Sequence, residues 1–142
     1  MPDIASTLEN ARVRLVALSG DTRIAVPVHG FHDDRLGYFL PDDIDNAAPG
    51  RWCVVYSDRG RDEVRETVDS EDELLWLLVE SMMQSAATSW ELAHRIPHQD
   101  SRRGWFAKMA EWTAAYWPQW SVRLAADQRA VLAVAPFDDG LG

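Results

Sequence analysis

The segment between residues 91 and 106 contains side chains that could bind a metal ion. Glu91, His94 and His98 are spaced three and four residues apart, a spacing that places side chains on one face of a helix. Pro97 disfavours the helical conformation at the residue before it, so His98 should leave the face that His94 occupies. No third ligand is evident, and the His-Glu-x-x-His order of zinc proteases is absent. We therefore interpret both histidines as polar residues at a helix end, with a metal-dependent enzyme as the alternative.

A second histidine group lies in a predicted loop that follows a strand. In this loop, His29 or His32 could act as a general base, with Asp33 as the carboxylate that orients the imidazole. No Gly-x-Ser-x-Gly motif or glycine-rich phosphate loop accompanies them, and Cys53 falls within a predicted strand. The sequence therefore favours a polar loop, and a small hydrolase that uses these histidines is the alternative.

The segment that contains His94 and His98 has the features of a corner between two helices. Pro97 ends one helix, and Asp100 or Ser101 can cap the next helix by accepting hydrogen bonds from its free backbone amides. Arg102 and Arg103 follow in the first turn, where the helix dipole disfavours cations. We expect both arginines to bind carboxylates elsewhere.

The acidity of the chain favours a basic protein as its partner. The sequence has 23 Asp and Glu against 14 Lys and Arg, a net charge of −9, which repels phosphate backbones and anionic membranes. None of the acidic runs has the Asp-x-Asp-x-Asp-Gly spacing of a calcium loop. A role in solubility alone is the alternative for these charges. The predicted partner-binding residues are Asp33, Asp34, Asp42, Asp43 and Asp45 in loops, followed by Asp58 and Asp62 at a hairpin tip.

Cysteine usage and hydropathy indicate a cytoplasmic protein. The single cysteine cannot form an intrachain disulfide, which fits a reducing compartment. No apolar run approaches the roughly 20 residues that span a bilayer. We expect a monomer or a weak homodimer that binds no cofactor, metal, nucleic acid or membrane.

Hydrophobic periodicity predicts a helix followed by a sheet. Apolar residues three or four positions apart indicate an N-terminal helix at residues 4–18 that ends at Gly20. Four segments rich in β-branched or aromatic residues predict strands: 22–28, 36–40, 51–57 and 62–68. Gly60 supplies the turn between the last two strands, and Pro27 places the first strand at a sheet edge. We expect an antiparallel sheet with one face exposed to solvent.

Three helices are predicted after the sheet. Ser70 and Glu73 form a capping box, and the helix that they start should run to Ile96. The other two helices are predicted at residues 101–117 and 119–135. The sequence therefore predicts one α+β domain over residues 1–142. Its elements are an N-terminal helix, a three- to four-stranded antiparallel sheet and three C-terminal helices packed on one face.

Tryptophan is abundant, with seven in the chain. Six of them fall in predicted helices at helical spacing, which is typical of core residues. Tryptophan is also enriched among interface anchors, so any tryptophan exposed beside an acidic rim would be the first candidate for a binding hot spot.

Several short motifs in the second half of the chain resemble those of a family of bacterial immunity proteins. The matching stretches are Ser57-Asp-Arg-Gly60, Ser70-Glu-Asp-Glu73, Arg95-Ile-Pro-His-Gln-Asp100 with the following Arg102-Arg103, and Ala135-Pro-Phe-Asp-Asp139. They cover roughly residues 51 to 139 and resemble the immunity protein 63 family of polymorphic toxin systems.

This resemblance implies a cytoplasmic antidote that neutralises a toxin by direct binding and is not an enzyme. Many toxins act on nucleic acids or nucleotides and carry basic clefts, which an acidic protein can occlude with carboxylates in place of phosphates. The sequence and the resemblance together predict an immunity protein that covers the active site of a basic, nuclease- or nucleotide-targeting toxin domain. A generic protein-interaction adaptor outside any toxin system is a further alternative.

Overall fold

The architecture is an α+β arrangement in which helices surround one face of a small sheet. The computed structural model describes residues 3–44 and 48–140. In chain order, its elements are α1 (Ile4–Ser19), β1 (Val28–His29), β2 (Arg35–Phe39), β3 (Trp52–Asp58), β4 (Arg61–Val68), α2 (Glu71–Ala93), α3 (Ser101–Tyr116), a short 3-10 helix (Pro118–Trp120) and α4 (Ser121–Val134). The predicted fold class, with an N-terminal helix, a sheet and three later helices, is confirmed.

The N-terminal helix begins and ends where the sequence predicts. Asp3 caps α1 by accepting a hydrogen bond of 2.7 Å from the amide of Ser6. Gly20 ends the helix in the left-handed conformation, with φ of 76°, and its amide donates to Val16. One apolar stripe is buried: Ile4, Leu8, Ala11 and Leu15.

The sheet is mixed, which corrects the predicted antiparallel arrangement. Its strand order is β1-β2-β3-β4, and the last three strands are antiparallel neighbours, but β1 pairs with β2 in parallel. Of the strand predicted at 22–28, only Val28 joins the sheet, where it forms β1 together with His29. This strand lies at the sheet edge, directly after Pro27, which has no N–H to donate. Gly37 permits this close pairing, because a β-carbon there would lie 2.7 Å from the carbonyl oxygen of Val28.

Both faces of the sheet bury apolar side chains, which also differs from the expected exposed face. Tyr38, Val54 and Val68 belong to the main core cluster together with α1 and α2. On the opposite face, three residues form a second buried cluster, which Phe31 and Val64 cover: Phe39, Cys53 and Val55. A bulge in β4 at Arg65 aligns Val64 with Val55. The outer face is therefore sealed locally by the loop that precedes β2.

Helix α2 is the central element of the core. Ser70 caps it by accepting from the amide of Glu73, as predicted, and it packs against α1, α3, β3 and β4. It ends at Ala93, three residues before the predicted end, because His94 already has a non-helical conformation. Of the six tryptophans in the predicted helices, three are buried: Trp76, Trp112 and Trp120. The other three are partly buried and pack against the core: Trp90, Trp105 and Trp117.

The corner between α2 and α3 is fastened to the C-terminal tail. Asp100 caps α3 by accepting from the amide of Arg102, and the Arg102 guanidinium returns to the Asp100 carboxylate at 2.8 Å. The same guanidinium donates to the carbonyl oxygens of Ala135 and Pro136, at 2.7 and 2.8 Å. Arg102 therefore joins the corner to the end of α4, and it holds the pKa of Asp100 well below its usual range.

A second set of contacts completes this attachment, which we call the tail clamp. Arg103 pairs with Asp139 at 2.9 Å and lies over the ring of Phe137 at 4.3 Å. The amide of Asp138 donates to the Asp100 carboxylate, and the amide of Gly140 donates to the carbonyl oxygen of His98. The expectation that both arginines bind carboxylates outside the first turn of α3 is confirmed for Arg103, whereas Arg102 binds the capping residue itself.

We predict that Arg102→Lys loosens the tail clamp without unfolding the core. Lysine keeps the charge but lacks the planar fork that reaches a carboxylate and two carbonyl groups at once. The amides of Asp138 and Gly140 should exchange with solvent about tenfold faster in NMR hydrogen exchange. The exposed residue Arg129 on α4 gives a matched control, because Arg129→Lys should leave these amides unchanged. Equal protection in wild type and Arg102→Lys would contradict the clamp.

A second long-range contact joins the linker after α1 to the far end of α2. The hydroxyl of Ser89 donates to the Asp21 carboxylate at 2.6 Å, and the amide of Arg23 donates to the same carboxylate at 2.9 Å. These hydrogen bonds lower the pKa of Asp21 from 3.8 to about 2.

We predict a pH-dependent loss of stability in Asp21→Asn. Because the pKa of Asp21 is lower in the folded state, its carboxylate stabilises the fold above pH ~4, and this contribution is lost as the pH falls towards about 2. The variant should melt at a lower temperature than wild type at pH 7, and the two melting temperatures should converge in acid. A difference that stays constant from pH 7 to pH 3 would contradict this contribution.

Candidate functional site

The residues first considered as metal ligands have separate partners in the structure. Glu91 is buried and pairs with Arg95 through two hydrogen bonds of 2.9 and 3.1 Å. The ring of His94 stacks on Trp90 at 4.2 Å, and its Nδ1 lies 2.8 Å from the Trp90 carbonyl oxygen. His98 lies beyond the helix with φ of 65°. Within residues 3–44 and 48–140, no group of three His, Cys, Asp or Glu side chains is arranged to hold a metal ion.

The histidine and carboxylate proposed for a hydrolase are also not brought together. Asp33 accepts a hydrogen bond from the hydroxyl of Ser57 instead of orienting a histidine. His29 lies 2.8 Å from a different carboxylate, that of Asp43, and stacks on the ring of Tyr38. Partial burial opposes ionisation of Asp43, but hydrogen bonds from His29 and from the amide of Leu40 outweigh it and lower its pKa. The Asp43 carboxylate thus stabilises the turn after β2.

Four of the predicted partner-binding carboxylates gather at one end of the sheet, which we call the hairpin end: Asp33, Asp34, Asp58 and Asp62. Asp33 and Asp34 precede β2, and Asp58 ends the neighbouring β3. The amide of Asp34 donates to the carbonyl oxygen of Ser57, and its backbone is left-handed with φ of 59°. A hydrogen bond shared with Asp58 raises the pKa of Asp34, and the charges of Asp58 and Asp33 add to the rise.

The hairpin end is less negative than its aspartates suggest. Arg35 lies opposite Ser57 in the sheet, Arg61 lies opposite Asp58, and Arg59 occupies the turn between β3 and β4. Three arginines thus accompany the four aspartates in this part of the sheet, although the Arg35 guanidinium donates to the carbonyl oxygen of Val26. The formal local net charge is small. Such a mixed surface exerts little long-range attraction on a basic protein.

The other end of β2 has a more strongly acidic surface, which we call the acidic groove. The groove has a volume of about 620 Å³, and its rim includes the carboxylates of Asp3, Asp42 and Glu71. Trp52 lines it beside these carboxylates and is partly exposed. In the part of the chain that the structure describes, no Lys or Arg side chain lines this groove. Asp45, which the sequence also predicted as a contact, lies outside the described residues.

The fold brings three distant parts of the chain to the acidic groove. Asp3 caps α1 and Glu71 begins α2, and the two helices start at the same end of the molecule because they run side by side in the same direction. Carboxylates are favoured at helix N-termini, where the free amides carry partial positive charge, so the two helix starts offset the repulsion within the groove. The two helix starts therefore favour carboxylates at this end of the molecule.

Sequence reasoning named one acidic residue of the groove, Asp42, and missed Asp3, Glu71 and Trp52. Asp3 and Glu71 carry a local signal, because both lie at predicted helix starts, but nothing local shows that these starts meet. The rule that an exposed tryptophan beside an acidic rim is a candidate hot spot selects Trp52, the one tryptophan outside the predicted helices.

The comparisons with known proteins identify the family. The family model described as Immunity protein 63 matches residues 48–130, more than half of the chain, and this range includes β3, β4, α2 and α3. No curated protein and no solved structure matches the chain significantly. No helix among the described residues has the length and apolar character needed to cross a membrane. The family supports an immunity role, and the chain belongs to the immunity protein 63 family.

Proposed function

We propose that the chain neutralises a cognate toxin by binding it directly and covering its active site, without catalysing a reaction itself. In this proposal, it acts as a single domain in the cytoplasm, as a monomer or weak homodimer, and needs no metal or cofactor. The family supports the immunity role, and the acidic groove is the observation that supports a basic toxin surface as its target.

The groove has the chemistry expected of a contact for a basic cleft. Its carboxylates can pair with the lysine and arginine side chains that a nuclease- or nucleotide-targeting enzyme uses to hold phosphate groups. Trp52 adds a large, partly buried aromatic surface of the kind that anchors protein interfaces. Charge and apolar contact area thus occur side by side in one concave surface.

The predicted aspartates take different parts in this proposal. Asp42 contacts the toxin directly, and Asp43 acts indirectly, because its carboxylate holds the turn that presents Asp42. Three arginines reduce the net charge of the hairpin end, so its four aspartates form a weaker, peripheral contact: Asp33, Asp34, Asp58 and Asp62. Asp45 is kept as a contact on the sequence argument alone.

Co-expression with the toxin domain encoded beside this chain tests the function itself. We expect the chain to restore growth and to co-purify with the toxin domain in a one-to-one complex. The association rate should fall as salt concentration rises, because salt screens the attraction between the acidic groove and a basic surface. A toxin that kills equally well in the presence of this chain would refute the immunity role.

We predict that neutralising the groove weakens toxin binding more than an equal change elsewhere. The double variant Asp42→Asn/Glu71→Gln should raise the dissociation constant at least about tenfold and reduce its salt dependence, as measured by titration calorimetry at several salt concentrations. Neither side chain forms a hydrogen bond or ion pair among the described residues, so the fold should persist.

The matched control is Asp34→Asn/Asp62→Asn, which changes the net charge by the same amount at the hairpin end. Asparagine also tolerates the left-handed backbone at residue 34. We expect this variant to bind within about threefold of wild type, because rim charges contribute little to affinity. If the control variant lost more affinity than the groove variant, the toxin contact would belong to the hairpin end.

A further inference from the structure

A second concave surface lies between the helices, away from the acidic groove. It has a volume of about 360 Å³ and is bounded by α2, α3 and α4; we call it the helical groove. Trp105 and Met109 of α3 and Leu124 of α4 supply apolar surface, while Glu80 of α2 and Asp127 of α4 supply carboxylates. Arg102 also lines the groove, with its guanidinium bound to Asp100 and the tail. A largely apolar groove with two carboxylates is thus open to solvent beside the central helix.

Glu80 is the unusual feature of the helical groove. Its side chain is half-buried, yet among the described residues it forms no hydrogen bond and no ion pair. Burial raises the pKa of Glu80, and the neighbouring Asp127 carboxylate adds to the rise, while Arg123 opposes it from α4. The guanidinium of Arg123 is directed towards the ring of Trp76, 5.9 Å from its centre. The free protein therefore holds a half-buried carboxylate that burial and Asp127 disfavour in its charged form and that Arg123 only partly compensates.

Another glutamate on the same helix shows how the fold satisfies a buried carboxylate. Glu91 is 5% exposed, and Arg95, four residues later, forms a bidentate ion pair with it. The residue one turn after Glu80 is Gln84, which also lines the helical groove and cannot supply a positive charge.

The two arginines near Glu80 have other contacts. Arg102 lines the groove, but its guanidinium binds Asp100 and two tail carbonyl groups, and that of Arg123 is directed towards Trp76. Neither arginine forms an ion pair with Glu80, so a partner can supply one.

We propose that the helical groove receives an arginine side chain of the toxin, with its aliphatic part against Trp105 and Met109 and its guanidinium between Glu80 and Asp127. This rests on the proposed function and adds a second, chemically defined contact to it. Arginine fits better than lysine, because a planar guanidinium can meet two carboxylates and pack against an aromatic ring.

The helical groove and the acidic groove are separate contacts. Glu80 lies nine residues after Glu71, which is about 14 Å along the axis of α2 and about two and a half turns, so the two side chains leave the helix on opposite sides. Binding at both places requires the toxin to reach around the end of the helical layer. Effects of substitutions in the two grooves should then be nearly additive, since the sites share no partner.

The test is Glu80→Gln, measured against the toxin domain purified from the co-expressed complex. We expect the dissociation constant to rise at least about tenfold, because a buried guanidinium would lose its charged partner. The melting temperature of the free variant should stay equal or rise, since the substitution removes an unpaired carboxylate from a half-buried position. Loss of affinity without loss of stability separates binding from folding.

Glu111→Gln provides the matched control, because Glu111 is an exposed glutamate on α3 whose carboxylate pairs with Lys108. It removes the same charge from the same layer and should leave affinity within about twofold of wild type. Equal affinity of Glu80→Gln and wild type would overturn the proposal, and so would equal losses in the two variants, because these would show a general charge effect.

An arginine scan of the toxin completes the experiment. One Arg→Ala substitution should weaken binding to wild type but cause little further loss with Glu80→Gln, which is the pattern of a direct pair in a double-mutant cycle. If no toxin arginine couples to Glu80, the assignment is wrong. These outcomes are distinct from failure of the proposed function, in which the wild-type chain would bind no toxin at all.

Discussion

The enclosure of α2 is the constraint on which the rest of the structure depends. Its fully buried side chains include Trp76, Leu78 and Met83, and burying a side chain of this size contributes about 1.5–3 kcal/mol. Since α1, α3 and the sheet all pack on this helix, its start, middle and end determine where surface features can form. The acidic groove lies at its start, the helical groove beside its middle, and the tail clamp next to its end.

Three glutamates of α2 show how position along this helix determines what a carboxylate can do. Glu71 lies at the exposed N-terminus, where the helix amides stabilise its charge. Glu91 is buried and is paired by Arg95, so its charge is used within the fold. Glu80 lies between these extremes, half-buried and unpaired among the residues that the structure describes. On one helix, glutamate is thus exposed at position 71, paired within the fold at position 91, and half-buried without an ion pair among the described residues at position 80.

Local features of the fold were predictable from the sequence, but contacts between residues far apart in the sequence were not. The caps at Ser70 and Asp100 depend on neighbouring residues, so residue type and spacing were enough to predict them. The parallel pairing of β1 depends on the close approach of Val28 to Gly37, which no local pattern encodes. The acidic groove depends on Asp3, Asp42 and Glu71 meeting across the chain, and so only Asp42 was found in advance.

The free protein favours charged carboxylates in the acidic groove and disfavours the charged form of Glu80 in the helical groove. This difference suits the two grooves to different steps of the proposed binding. Asp3 and Glu71 of the acidic groove lie at helix N-termini, which favour carboxylates, and the acidic side chains of the groove are exposed, which favours attraction at a distance. Burial destabilises the Glu80 carboxylate, so it gains most when a cation arrives at contact distance. In the proposed complex, the acidic groove therefore accelerates encounter with any basic surface. The helical groove then favours the one toxin that places an arginine beside Glu80.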